Sequence, residues 1–180
     1  SSLLLPVPLH RQSGSGGSSP GDVLEYTLRF QISDFFALNA IEVVDGVSDG
    51  QHLDPTFTPT LQLEGNPYAW PVTPFLSTPL TDPVNWTYDV DCNYSGGAGA
   101  ECTTDSTGAP NDGSTTLTFR VSGEIVQRAL DASGRMVGGC VNPSTGSANP
   151  DCGSYNNGPT YGIIRFRTVI LDNFTDIHLI

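Results

Sequence analysis

Lysine is absent from this 180-residue chain, and seven arginines face nineteen Asp and Glu residues, for a formal net charge of −12. Such a surface has no cationic footprint, which argues against nucleic acid and anionic membranes as partners. No apolar run approaches the roughly 20 residues of a membrane-spanning helix, so no membrane insertion is expected. Helix-length segments are scarce as well. The 20 Gly and 14 Pro are spread along the chain and break every window but one, near Ser122–Leu130. Catalytic signatures are missing: there is no Gly-x-Ser-x-Gly elbow, no His-Glu-x-x-His pair and no phosphate loop. His10, His52 and His178 each stand outside any motif and read as exposed loop residues. The expectation is a protein that is no enzyme, with no catalytic residue, cofactor or metal site to assign.

What the chain has instead is alternation. In Asp22–Ser33, Leu24, Tyr26, Leu28, Phe30 and Ile32 share one parity, while Val23, Glu25, Thr27, Arg29 and Gln31 share the other. Period-2 alternation of this length is a strand with one buried and one wet face, the signature of an antiparallel sheet. Further strands are expected at Ala40–Asp45, ended by Gly46, and at Phe57–Leu63, with Leu61 and Leu63 on one face. Trp86–Cys92 should turn Trp86, Tyr88, Val90 and Cys92 inward and Thr87, Asp89 and Asp91 outward. Thr115–Ser122 repeats the pattern with Leu117, Phe119 and Val121. Tyr161–Leu171 closes the chain with Ile164, Phe166 and Ile170 inward.

Asp34–Leu38 reads as a turn or single helical turn. Asn66–Pro83, with five prolines, must be loop or sheet edge. Ser122–Leu130 reads as a short helix capped by Ser122, with Ile125, Val126, Ala129 and Leu130 as its apolar stripe. Asp131–Thr160 reads as loop. Six or more short strands with no helical layer give an all-β fold, an immunoglobulin-like antiparallel β-sandwich with long loops. The domain is expected to occupy residues 21–180.

The four cysteines fall as Cys92 and Cys102, then Cys140 and Cys152, each pair flanking a Gly-, Asn- or Pro-rich loop. Three pairings are formally open, and proximity favours the local one. Closing such loops stabilises a fold by about 3 kcal/mol each in the chain-entropy model. Zinc is the competing reading, but the spacings lack a Cys-x2-Cys knuckle. Disulfides point to an oxidising compartment, hence an extracellular or cell-surface location.

Three segments carry a resemblance. Pro20-Gly-Asp-x-x-x-Tyr26-Thr27, Ile41-Glu-Val-Val-Asp45 and Ile163-Ile-Arg-Phe-Arg-Thr-Val169 together resemble the conserved-repeat domains of bacterial and archaeal surface proteins and the related fimbrial isopeptide-forming domains. The resemblance implies an immunoglobulin-like sandwich strung along surface or filament proteins. The fimbrial branch joins a Lys amine to an Asn side chain, a bond this chain cannot form without lysine.

Other polar patterns compete with blander readings. Asp89-x-Asp91-x-Asn93 matches the opening of a calcium loop, but Tyr94 stands where the turn glycine belongs and Ala100 where the bidentate glutamate belongs. Asn85, Asn93 and Asn173 open N-x-Ser/Thr sequons, about as many as chance gives at this composition, and Asn93 is the best placed of them for glycosylation. Tyr68 and Trp70 are candidates for stacking on sugar rings, with packing between loops as the alternative.

The N-terminal arm is the remaining signal. Leu3, Leu5, Val7 and Leu9 share one parity, and Pro6 and Pro8 share the other. As a strand, residues 1–10 would have both missing amide donors, those of Pro6 and Pro8, on one edge, while the other edge keeps its donors at Leu5, Val7 and Leu9. The stretch lacks the flanks of a signal peptide, so a mature chain or excised piece is expected. Arg11–Pro20 is a Gly/Ser linker with a typical reach of roughly 17 Å and a limit near ~33 Å. These features describe a structural subunit of an extracellular filament or surface layer, its arm donated as a strand to another copy or an adjacent domain. A carbohydrate- or receptor-binding adhesin module using residues 66–75 is the alternative, and a secreted hydrolase stands third.

Overall fold

A computed structural model describes residues 18–47, 51–65, 70–78, 86–92, 115–147, 152 and 160–170. In chain order the elements are β1 (Val23–Ile32), β2 (Ala37–Leu38), β3 (Glu42–Val47), β4 (Gln51–Leu53), β5 (Thr60–Glu64), β6 (Trp70–Pro74), β7 (Tyr88–Cys92), β8 (Thr115–Arg120), α1 (Val121–Gln127), β9 (Met136–Val137) and β10 (Thr160–Ile170). They form an antiparallel β-sandwich. One sheet runs β1-β10-β5-β6, with β4 also paired to β10, and the other runs β3-β8-β7. β2 and β9 make a separate two-stranded ribbon.

The expected alternation sets the core. Leu28 and Ile32 of β1, Leu61 and Leu63 of β5, and Ile164 and Phe166 of β10 are buried together with Leu117 and Phe119 of β8. The sheets meet through aromatic rings: Phe119 lies 5.6 Å from Phe166, and Phe166 stacks on Tyr26 at 4.9 Å. Phe75, just past β6, meets Tyr88 of β7 edge-on at 5.9 Å. That contact brings the chain just past β6 against β7. Phe30 stands opposite Gly162 in the β1–β10 register, and any Cβ at that position would overlap the Phe30 ring. Glycine in a strand interior here marks a close approach that only a missing side chain permits.

Several local expectations are corrected. Ser122 is not the helix cap: α1 begins at Val121, its N-cap Arg120 makes no side-chain cap bond, and the Ser122 hydroxyl instead accepts the Ile41 amide at 2.8 Å. The helix buries Val121, Glu124 and Ile125, whereas Val126 and Leu130 are exposed. The stripe is narrower than expected because Ala129 adopts a positive φ of 55° and ends the helix. Thr87 is buried rather than outward, its hydroxyl donating to the Ser77 carbonyl at 2.9 Å. The second strand starts later than Ala40, whose φ is 54°, and continues through Gly46 to Val47. Asp34–Leu38 ends in β2, and the long loop after Asp131 contributes the buried Met136, Val137 and Val141. Part of the proline-rich stretch is edge strand β6, in keeping with the loop-or-edge reading.

Candidate functional site

Two places concentrate features beyond packing: a buried ion pair beneath Trp70 and the border of β1 that is unpaired among the described residues. At the first, Glu124 is wholly buried, and its Oε1 accepts the Arg128 Nε at 2.8 Å and the Leu76 amide at 2.9 Å. Arg128 also donates to Thr73 Oγ1 at 2.9 Å and to the Pro74 carbonyl. Its guanidinium lies 4.1 Å over the Trp70 ring. The second carboxylate oxygen of Glu124 has no partner among the described residues. This assembly rivets α1 to edge strand β6. Trp70 is only half-buried, yet it packs against the core and carries Arg128 on its ring. Both contacts reduce what the ring can offer a sugar.

The second place is built from backbone. The Gly21 amide donates to the Ile170 carbonyl at 2.8 Å and the Ile170 amide to the Asp22 carbonyl at 3.0 Å. Gly21 and Asp22 thus share one partner in a bulge, for which the positive φ of 83° at Gly21 suits glycine. These bonds set the phase of the ladder: with Val23 opposite Val169, even-numbered residues of β1 bond to β10. Val23, Glu25, Thr27, Arg29 and Gln31 therefore aim both backbone groups the other way. No described residue pairs with that border.

The other borders are guarded differently. β6 carries Pro71 and Pro74 in five residues, β7 is five residues long and holds Asp89 and Asp91, and β3 is six residues long and holds Glu42 and Asp45. β1 runs ten residues with no proline. Short, acidic or proline-bearing edges resist strand addition, whereas a long one free of proline accepts it. On the core face of β1, Leu24, Tyr26 and Phe30 remain half-buried, which leaves apolar surface beside the open border. The opposite face is polar: Glu25 pairs with Arg167 at 2.9 Å, and Arg29 and Gln31 are exposed.

The chain matches no family model, no curated protein and no solved structure. The resemblance to surface-protein repeats thus rests on its three short motifs.

Of the sequence candidates, Cys140 and Cys152 form a disulfide with Cα atoms 4.6 Å apart, and Cys140 is buried. The pairing of Cys92 with Cys102 lies outside the described residues, as do Leu3, Leu5, Val7 and Leu9 of the arm, Tyr68, and the sequon residues Asn85, Asn93 and Asn173. Among the described residues no cluster of three His, Cys, Asp or Glu side chains is arranged to hold a metal ion. Sequence reasoning missed the Glu124–Arg128 pair, although its i,i+4 spacing in the one helical window was a usable signal.

Proposed function

We propose that this chain is a non-enzymatic structural subunit of an extracellular filament or surface layer, in which residues 1–10 of one copy add as a strand to the sandwich of the next. The observation that carries this reading is the ten-residue border of β1, unpaired among the described residues and free of proline. It complements the arm, whose odd-numbered residues keep their amide donors while Pro6 and Pro8 remove two donors from the other edge. Strand addition supplies affinity through backbone bonds and specificity through alternate side chains. Burial of Leu3, Leu5, Val7 and Leu9 contributes roughly 6–10 kcal/mol before ordering costs. The Cys140–Cys152 bridge suits an oxidising, extracellular setting.

Deleting Ser1–His10 tests the reading. The truncated chain is expected to sediment as a folded monomer while the complete chain forms filaments visible by negative stain. Filaments that form undiminished without the arm, or a complete chain that stays monomeric at high concentration, would overturn it.

A further inference from the structure

We infer that the arm adds to β1 in parallel orientation and can do so only from a second copy of the chain. This inference rests on the strand-donation reading above and specifies its geometry. Three observations combine. The border of β1 left unpaired among the described residues is presented by its odd-numbered residues, whose side chains lie on the outer, polar face, while Leu28 and Ile32 point to the core. In the arm, the edge that retains its full set of amide donors belongs to the odd-numbered residues, which also carry Leu3, Leu5, Val7 and Leu9, four of the five Leu and Val side chains, with Leu4 alone on the other parity. Residues directly opposite one another across two strands project from the same face of the sheet.

In an antiparallel pair, residues that exchange hydrogen bonds stand directly opposite each other. Antiparallel addition through the donor-bearing edge would therefore align the arm leucines with Glu25, Thr27, Arg29 and Gln31 and expose them to water. In a parallel pair, a bonded residue contacts the two neighbours of its opposite number, so each arm leucine stands opposite an even-numbered residue of β1. Leu3, Leu5, Val7 and Leu9 then point inward on the face of Leu24, Tyr26 and Phe30, whose half-buried side chains leave apolar surface to cover. A one-residue slip cannot rescue the antiparallel case, because it turns the edge lacking donors at Pro6 and Pro8 toward β1.

Parallel polarity also decides which copy donates. A chain that turned back through residues 11–20 onto its own β1 would arrive antiparallel, with its leucines outward. To pair in parallel with its own β1, it would have to return along the length of that strand, about 30 Å for ten residues. The ten-residue linker reaches that only when stretched to its limit of ~33 Å, and parallel connections normally take a dozen or more residues. The donor is thus a second copy, and self-closure does not compete with assembly.

The test uses the full chain with Leu3→Ser, Leu5→Ser, Val7→Ser and Leu9→Ser as a 15N-labelled acceptor that cannot donate. A synthetic peptide of residues 1–10 carrying a nitroxide on Ser1→Cys is added. Parallel addition is expected to broaden the amide signals at the Val23 end of β1 and spare those at the Ile32 end. Broadening at the Ile32 end instead overturns the parallel geometry while leaving strand donation standing. An absence of binding at millimolar peptide overturns both.

Discussion

Arg128→Ala should be among the most damaging single substitutions outside the aromatic core. The side chain of Arg128 is 12% exposed and that of Glu124 is fully buried, with a 2.5 Å contact between them. Removing the guanidinium leaves a buried carboxylate facing only the Leu76 amide, and breaking a buried pair from one side costs about 3–5 kcal/mol. The same change removes the cover over Trp70, a cation–π contact worth about 0.5–2 kcal/mol in its own right. These terms overlap, so the expected loss is about 4 kcal/mol. At a slope of about 2 kcal/mol per molar, the urea midpoint should fall by roughly 2 M. The control is Glu124→Gln with Arg128→Met, which deletes both charges and keeps an acceptor for Leu76. It should lose only about 1–2 kcal/mol, because replacing a buried pair by neutral groups avoids the uncompensated charge. Equilibrium urea unfolding of the native chain, Glu124→Gln, Arg128→Met and the double variant closes the cycle, with Arg128→Ala measured beside them. A loss below about 1 kcal/mol for Arg128→Ala, or a double variant as unstable as that single one, would refute the reasoning.

Gly162→Ala places a methyl group where the Phe30 ring lies and should cost about 1–3 kcal/mol by overpacking. Combining it with Phe30→Leu should recover part of that loss, and a strictly additive double variant would show that the ring is not the obstacle. Replacing Cys140 and Cys152 by serine opens a bridge spanning 12 residues and should lower stability by about 3 kcal/mol while leaving the sheets folded; loss of the far-UV β signal at 25 °C would contradict the second half. Burial works against the Asp131 carboxylate, but hydrogen bonds from the Arg135 side chain and from the Arg135 and Ser133 amides hold its pKa below the ordinary value. A depressed folded-state pKa gives stability that is present above the unfolded value and lost as pH falls through the folded one. Asp131→Asn should therefore be less stable than the native chain at pH 7, and the gap should close on acidification below the ordinary carboxylate range. A gap that is constant with pH would assign the effect to packing.

The alternation of Leu24 to Ile32 and of Ile164 and Phe166 made the long strands and the buried face legible, because a half-buried strand repeats its environment every second residue. Shorter elements were not legible. β2, β4 and β9 have two or three residues each, too few to show any period, and they exist because tertiary partners hold them. Thr87 is a buried polar residue that alternation alone would turn outward, and Thr160 and Thr168 are polar residues on the inward parity of Ile164 and Phe166, buried without being apolar. Each is satisfied by a distant partner: Thr160 by the Val137 carbonyl and Thr168 by Gln51, which also receives the Tyr26 hydroxyl. The helix was placed to within a few residues and Ile125 of its expected stripe is buried, but Val126, Ala129 and Leu130 are exposed and Glu124 lies inward, because Glu124 counts as polar until Arg128 and Leu76 are seen around it. The free border of β1 was beyond sequence reasoning, since strand order is a property of the whole sheet.

Thr27→Pro puts the assembly account to its most direct test. The Thr27 amide points away from β10 toward the free border, so proline at this edge position deletes a donor that the β1–β10 ladder does not use. Far-UV circular dichroism and the urea midpoint should remain close to native. Sedimentation velocity should change from polymer to monomer, because an added strand would lose a bond and meet the pyrrolidine ring at the centre of the border. A Thr27→Pro chain that stays folded and polymerises as fully as the native chain would contradict the claim that copies join along β1.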